Sequence, residues 1–135
     1  MGAMTTHQPH ASQPLTIGLR AGIVGLTLAT AQIHASLGGL LFTLNAIGYG
    51  TLAVAMILPG PFGQMRWLAR YALIGFASAT IVGWVAIGPR FELAYISKVI
   101  EAALIALLLV EDVVADGGPL TLGRRIRRLL GASAA

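Results

Sequence analysis

Four apolar stretches, each long enough to cross a lipid bilayer as one helix, constrain this chain more than any other feature. A transmembrane helix takes about 20 predominantly apolar residues, because the hydrocarbon core is about 30 Å thick. In lipid the backbone polar groups must be satisfied within the segment, which favours helix for such stretches. We therefore predict an all-α integral membrane protein. The stretches are Leu15 to Ala35, Leu37 to Leu58, Tyr71 to Gly88 and Ala94 to Ala115.

Composition supports the same class. Hydrophobic residues make up 56% of the chain and charged residues 10%, and the mean hydropathy is +0.81. A soluble domain of 135 residues needs a more polar surface than this. We expect a disordered polar tail over residues 1–14, one four-helix transmembrane bundle over 15–116, and a basic amphipathic helix over 119–131. Cysteine is absent, which excludes disulfides and thiolate ligands.

The basic residues indicate the orientation of the chain in the membrane. Arg66 and Arg70 lie between the second and third spans, and a cluster of arginines follows the fourth. Positively charged flanks stay preferentially in the cytoplasm, so we expect a cell-membrane protein with both termini cytoplasmic. The net charge of +4 follows from this placement and does not indicate nucleic-acid binding.

The first span has an alternative interpretation as a cleavable signal peptide. Arg20, the apolar run Ala21 to Leu28 and the small triplet from Ala29 to Ala31 imitate one, and cleavage would leave three spans. The long segment before Arg20 contains no Lys or Arg, and the chain is apolar from Leu15 onward. These two features favour a retained span.

Beyond Pro119, apolar residues recur at helical spacing with four arginines between them. This pattern predicts a helix that lies on the inner membrane surface and contacts anionic lipid headgroups. Its apolar positions are Leu122, Ile126, Leu129 and Leu130, and the predicted headgroup contacts are Arg124, Arg125, Arg127 and Arg128.

Small residues form stripes on the first and third spans. Such stripes let helices approach closely, either within one chain or between chains, and the sequence does not separate these two uses. We therefore expect a homo-oligomer or a place in a larger membrane complex. The stripes are Gly18, Gly22, Gly25 and Ala29, and then Gly75, Ala79 and Gly83.

Lys98 and Glu101 are charged residues one turn apart within the fourth span. A charged side chain at the bilayer centre costs about 2.5 to 3.5 kcal/mol on insertion scales, so each needs a partner or a wet cavity. Counted from the outer helix ends, Asn45 and Thr80 reach the same depth as Glu101, about 12 Å inward, and Thr30 and Gln32 come close. The sequence thus predicts a shared polar layer in the outer half of the membrane.

We expect this layer to form a ligand site. Glu101 would accept a proton or cation, Lys98 would be its charge partner or an anion anchor, and Asn45 and Tyr49 would form hydrogen-bonding walls. Two structural alternatives remain open: a Lys98–Glu101 pair that serves only to neutralise both charges, and an ordinary interfacial histidine at His34. Further candidates that would line an outer entrance are Tyr95, His34, Trp84 and Arg90.

A second set of charges marks the inner boundary. We expect these residues to pair at the interface and to extend their charged ends toward water. The set consists of Arg20, Arg66 and Arg70 facing Glu111, Asp112 and Asp116.

Two functions from different classes agree with these patterns. The first is a homo-oligomeric transporter or a small-ligand or ion-binding protein with an outward-facing intramembrane pocket. The second is a non-catalytic accessory subunit that packs against a larger membrane assembly through its glycine faces. We predict no enzyme, cofactor or metal site, because no nucleophile motif, Gly-rich phosphate loop or ligand spacing occurs.

Overall fold

The computed structural model describes residues 12–132, and within this range every regular element is helical. Four helices are long and apolar enough to span a membrane, as predicted. A 3-10 turn at Pro119–Thr121 precedes the last helix. The helices are α1 (Ser12–Leu37), α2 (Leu40–Ile57), α3 (Pro61–Gln64), α4 (Arg66–Ile87), α5 (Glu92–Asp116) and α6 (Leu122–Ala132).

Two helix starts differ from the sequence prediction. Within the described residues helix α1 runs from Ser12, three residues before the predicted Leu15. Pro14 is compatible with this first turn, where the missing N–H has no helical partner to lose. The predicted disorder of the remaining tail falls on residues 1–11, which lie outside the described residues. Helix α4 begins at Arg66 rather than near Tyr71, so Arg66 and Arg70 both belong to a helix.

Tight glycine turns set the direction of the helices. Gly38 and Gly39 have φ angles of 69° and 85°, a left-handed region that a residue with a Cβ rarely adopts. They connect α1 to α2 in two residues, which makes these helices antiparallel neighbours. The connection between α4 and α5, residues 88–91, lies at the same end, which we call the Gly38 end. The opposite end contains α3 and α6 and is called the Arg70 end.

Each long helix contacts two others. Helix α1 packs on α2 and α5, and α4 packs on the same two helices from the other side. A buried apolar layer fills the middle, and it consists of Ile23, Met56, Leu73, Ala77, Leu104 and Leu108. The outward faces expose large apolar side chains such as Leu40, Val99 and Ile87, which a lipid environment would cover.

Most stripe glycines face outward rather than into the helix contacts. A Cβ added at Gly22 would meet Leu107 at 3.4 Å, whereas one added at Gly18, Gly25, Gly75 or Gly83 would have no heavy atom within 4 Å. The closest backbone approach occurs instead at Gly48 of α2, where an added Cβ would lie 2.5 Å from the Phe76 ring of α4. The faces of Gly18, Gly25 and Gly75 are therefore open to lipid or to another chain.

Candidate functional site

Glu101 of α5 is the centre of a buried polar cluster. Its side chain is fully buried, and its Oε2 accepts hydrogen bonds from Lys98 Nζ at 2.6 Å and Thr80 Oγ1 at 2.8 Å. Its Oε1 accepts longer hydrogen bonds from the hydroxyls of Ser97 at 3.4 Å and Thr30 at 3.5 Å. Four donors therefore satisfy the carboxylate, which is the condition for burying a charge at low cost.

Helices α1 and α2 add an imidazole and a phenol to this cluster. His34 Nδ1 lies 2.8 Å from the Thr30 carbonyl oxygen and must donate to it, because a carbonyl can only accept. The other ring nitrogen, Nε2, faces Glu101 Oε1 at 3.7 Å. Tyr49 OH lies 3.0 Å from Thr80 Oγ1. When Thr80 donates its only hydroxyl hydrogen to Glu101, the Tyr49 hydroxyl is the donor in this contact and Thr80 Oγ1 is the acceptor. All four long helices thus meet in one polar layer.

The sequence predicted that polar residues at equal distances from the outer helix ends would meet in one layer. The structure agrees with this prediction except at two residues. Thr30, Thr80 and Glu101 meet as the rise per residue predicts. From α2, however, Tyr49 reaches the cluster rather than Asn45, which is half-buried and whose side chain makes no hydrogen bond within residues 12–132. Gln32 is exposed on the outer side of α1. Depth is fixed by residue count, whereas the side of the helix is fixed by packing.

A cavity of about 330 Å³ opens at the Gly38 end and reaches this layer. Its wall is mostly apolar and aromatic, with contributions from Phe42, Phe76 and Phe91. Glu101 is sealed behind the wall, but four of its neighbours lie on the wall itself. The polar lining residues are His34, Asn45, Thr80, Trp84, Ser97 and Lys98.

The eight predicted site residues therefore fall into three positions. Four line the cavity, namely Lys98, Asn45, His34 and Trp84. Glu101 and Tyr49 are fully buried behind its floor. Tyr95 and Arg90 do not line it and instead contact Trp84.

Those two contacts hold the indole in place. The Tyr95 ring packs edge-on against Trp84 at 5.0 Å, and the Arg90 guanidinium lies 4.3 Å from the ring centroid. Trp84 Nε1 also donates to the Pro89 carbonyl at 2.8 Å. An aromatic ring held by contacts of this kind is a rigid wall of the cavity rather than a mobile one.

Several lining residues were not among the predicted site residues. Ser97 could have been identified, because it lies one helical turn before Glu101 on the same face. The phenylalanines carry no such signal, since apolar residues occur on every side of a membrane helix. Their role follows only from the geometry of the cavity.

The Arg70 end contains a second buried network. Arg70 is 2% exposed, and its Nε donates to Glu111 at 3.1 Å while its Nη1 donates to Asp112 at 3.0 Å and to Asp116. The planar guanidinium suits several carboxylates at once, because its donors point in fixed directions. This one side chain therefore joins α4 to three acidic residues of α5.

Three other side chains complete the network. Arg20 donates to Glu111 at 3.2 Å, Tyr71 OH donates to Asp112 at 2.8 Å, and Arg125 of α6 donates to Asp116 at 2.5 Å. Three guanidinium groups thus balance three carboxylates. The predicted pairing of these charges is found for Arg20 and Arg70.

Two details of that prediction were wrong. Arg70 does not extend toward water, because its carboxylate partners lie inside the helix contacts and are themselves buried. Arg66 makes no salt bridge with an acidic residue within residues 12–132. Its guanidinium instead donates to the carbonyl oxygens of Met56 and Leu58, which the end of α2 leaves without helical partners.

The two polar layers are separated by apolar packing. Glu101 and Glu111 are ten residues apart on α5, a rise of about 15 Å. Buried residues such as Met56, Leu73 and Leu108 fill the space between them. The cavity lining reaches the Glu101 layer and includes none of these core residues.

The cavity wall presents one cationic side chain, several neutral polar groups and aromatic rings. Among residues 12–132, no three His, Asp or Glu side chains are grouped so that they could hold a metal ion. No family model, curated protein or solved structure matches this chain, so the geometry alone supports a function.

Proposed function

We propose that this chain is a membrane-embedded binding protein or transporter subunit whose small ligand occupies the cavity at the Gly38 end. One observation carries the proposal: the cavity ends on the polar layer to which all four long helices contribute. His34, Thr80, Ser97 and Lys98 belong both to the cavity wall and to the Glu101 cluster. A ligand that touches the wall would therefore change the surroundings of a buried charge pair.

The proposed arrangement is a four-helix bundle in the cell membrane with both termini in the cytoplasm. The arginines at the Arg70 end support this orientation. It places the cavity at the outer face and α6 at the inner surface, where its arginines contact anionic lipid headgroups. Arg124, Arg127 and Arg128 are exposed and suited to this contact, whereas Arg125 pairs with Asp116.

Transport through one static chain is not supported, because the apolar core layer separates the cavity from the Arg70 end. A transporter built on this site would need a second conformation or several copies. The outward glycine faces, such as those of Gly25 and Gly75, offer close contacts to another copy.

The same open faces favour the second candidate, an accessory subunit of a larger membrane complex. In that case the Lys98–Glu101 pair would only stabilise the fold. Purification in mild detergent separates the two functions. Stable self-association supports the first candidate, and persistent co-purification of other chains supports the second.

Native mass spectrometry of the detergent-purified protein tests the binding site directly. The comparison is between the wild type and Gly83→Trp, which adds an indole where the glycine lines the cavity with open space around it. We expect a small-molecule adduct on the wild type that is lost in Gly83→Trp. The control is Gly75→Trp, which places the same indole on the same helix away from the cavity. Identical adducts on all three proteins would contradict the proposal.

A further inference from the structure

We infer that the ligand of this cavity is a small amphipathic monocarboxylate, a single carboxylate group on a compact apolar body. The inference rests on the proposed function and specifies the ligand class. It follows from the charge that the wall presents, from the donors left without partners, and from the size and nature of the remaining surface.

The charge on the cavity wall favours an anion. Lys98 is the one formally charged residue among the described residues that line the cavity. Its counter-charge, Glu101, is fully buried and already accepts hydrogen bonds from Lys98 and Thr80. A cationic ligand would meet the ammonium group first and would reach the carboxylate only by displacing it. An anionic ligand meets an attractive charge without breaking the pair.

Unused hydrogen-bond donors point to the same chemistry. The Lys98 ammonium has three N–H donors, and within residues 12–132 it uses one, on Glu101. The Asn45 amide lines the cavity half-buried and makes no hydrogen bond to the described residues. A carboxylate has two oxygens with about four acceptor positions, which is the acceptor chemistry that these unused donors on the cavity wall match.

The rest of the wall selects an apolar body. Phe42, Phe76, Trp84 and Phe91 face a volume of about 330 Å³. A water molecule occupies roughly 30 Å³ in the liquid, so the cavity suits a ligand with on the order of ten to fifteen non-hydrogen atoms. Inorganic anions would leave this apolar surface uncovered, and a long-chain lipid would exceed the volume.

Three probes of the same shape test the head group: 4-phenylbutyrate, 4-phenylbutan-1-ol and 4-phenylbutylamine. Trp84 lines the cavity, and the chain's other tryptophan, Trp67, lies near Arg125 at the Arg70 end. The Trp67→Phe protein in detergent therefore leaves Trp84 as its single tryptophan reporter. We expect saturable changes in Trp84 fluorescence, with 4-phenylbutyrate binding at least about tenfold more tightly than the amine.

Variants separate recognition from folding. Lys98→Met combined with Glu101→Gln removes both charges together and avoids leaving either one buried alone. In this double variant we expect the affinity for 4-phenylbutyrate to fall about tenfold, while that for the alcohol stays within about twofold. Asn45→Leu should weaken 4-phenylbutyrate in the same direction. Arg124→Gln, which removes a cation outside the cavity, is the matched control and should change nothing.

Each outcome has one meaning. Tighter binding of the amine, or an undiminished affinity for 4-phenylbutyrate in the double variant, overturns the carboxylate assignment and leaves the binding site in place. Absence of any Trp84 response to all three probes also overturns the assignment. The proposed function itself fails only if the adduct on the wild-type protein is unaffected by Gly83→Trp.

Discussion

The Lys98–Glu101 pair gives the most quantitative prediction, because its two ends differ in burial. Glu101 is fully buried, whereas the Lys98 side chain is 12% exposed and lies on the cavity wall. Removing one partner of a buried ion pair costs about 3 to 5 kcal/mol, since the remaining charge loses its counter-charge. The asymmetry in burial predicts which single substitution costs more.

We expect Lys98→Met to be the more damaging change. It leaves a sealed carboxylate with the hydroxyl donors of Thr80, Ser97 and Thr30 and with His34 Nε2 at 3.7 Å, and we place its cost at about 4 kcal/mol. Glu101→Gln leaves the Lys98 ammonium, which water in the cavity can still solvate, and we place its cost at about 2 kcal/mol. The double variant buries no charge, so it should cost about 1 to 2 kcal/mol, well below the sum of the singles.

The assay is equilibrium unfolding of the purified protein in mixed micelles, followed by circular dichroism as the denaturing detergent is increased. A double-mutant cycle then gives the coupling energy between the two side chains, expected at about 4 to 5 kcal/mol. Ser36→Ala, at an exposed residue near the Gly38 end, is the control and should leave stability unchanged. Equal costs for the singles, or a double variant equal to their sum, would refute the reasoning.

Three further predictions concern the packing and the Arg70 end. Gly48→Ala should cost about 1 to 3 kcal/mol in the same unfolding assay, because its Cβ would meet the Phe76 ring, whereas Gly50→Ala, with open space around it, should cost nothing. Arg70→Met should cost about 3 to 5 kcal/mol, and Arg70→Lys should recover only a small part, since an ammonium does not match the carboxylates as a planar fork does. Trypsin cleavage at Arg124–Arg128 should be at least about tenfold slower in nanodiscs of anionic lipid than in zwitterionic ones, and equal rates would count against headgroup contact by α6.

Much of the architecture could be predicted from the sequence, because hydropathy and helical rise are one-dimensional properties. The four spanning helices follow from length and composition, and the meeting of Thr30, Thr80 and Glu101 follows from residue counts along each helix. Residue counts along the helices also predicted the pairing of Arg20 and Arg70 with acidic residues of α5, because these residues lie at the same depth.

The remaining features depend on which side of each helix faces its neighbours. In a membrane helix, apolar residues occur on both the lipid side and the packed side, so periodicity gives a weak signal of orientation. The sequence therefore named both Asn45 and Tyr49 as hydrogen-bonding walls without separating Tyr49, which reaches the cluster, from Asn45, which lines the cavity. It also left open whether the glycine stripes face inward. The cavity is lined by residues of all four long helices, so no single segment encodes it.

The central claim is that the cavity is a water-accessible site on the outer side of a membrane-spanning bundle. The chain contains no cysteine, so a single introduced thiol is a unique label. Gly83 and Gly75 form a matched pair, since both are exposed on α4 with open space around them, but only Gly83 lines the cavity. A thiol reacts as its thiolate, which needs water.

The decisive measurement is labelling of single-cysteine variants in intact cells with a membrane-impermeant thiol reagent. We predict reaction at Gly83→Cys and at the turn control Ser36→Cys, no reaction at Gly75→Cys, and reaction at Gln64→Cys of the Arg70 end only after permeabilisation. Labelling of Gln64→Cys in intact cells would contradict the orientation. Equal labelling of Gly83→Cys and Gly75→Cys would contradict the cavity as a distinct aqueous site.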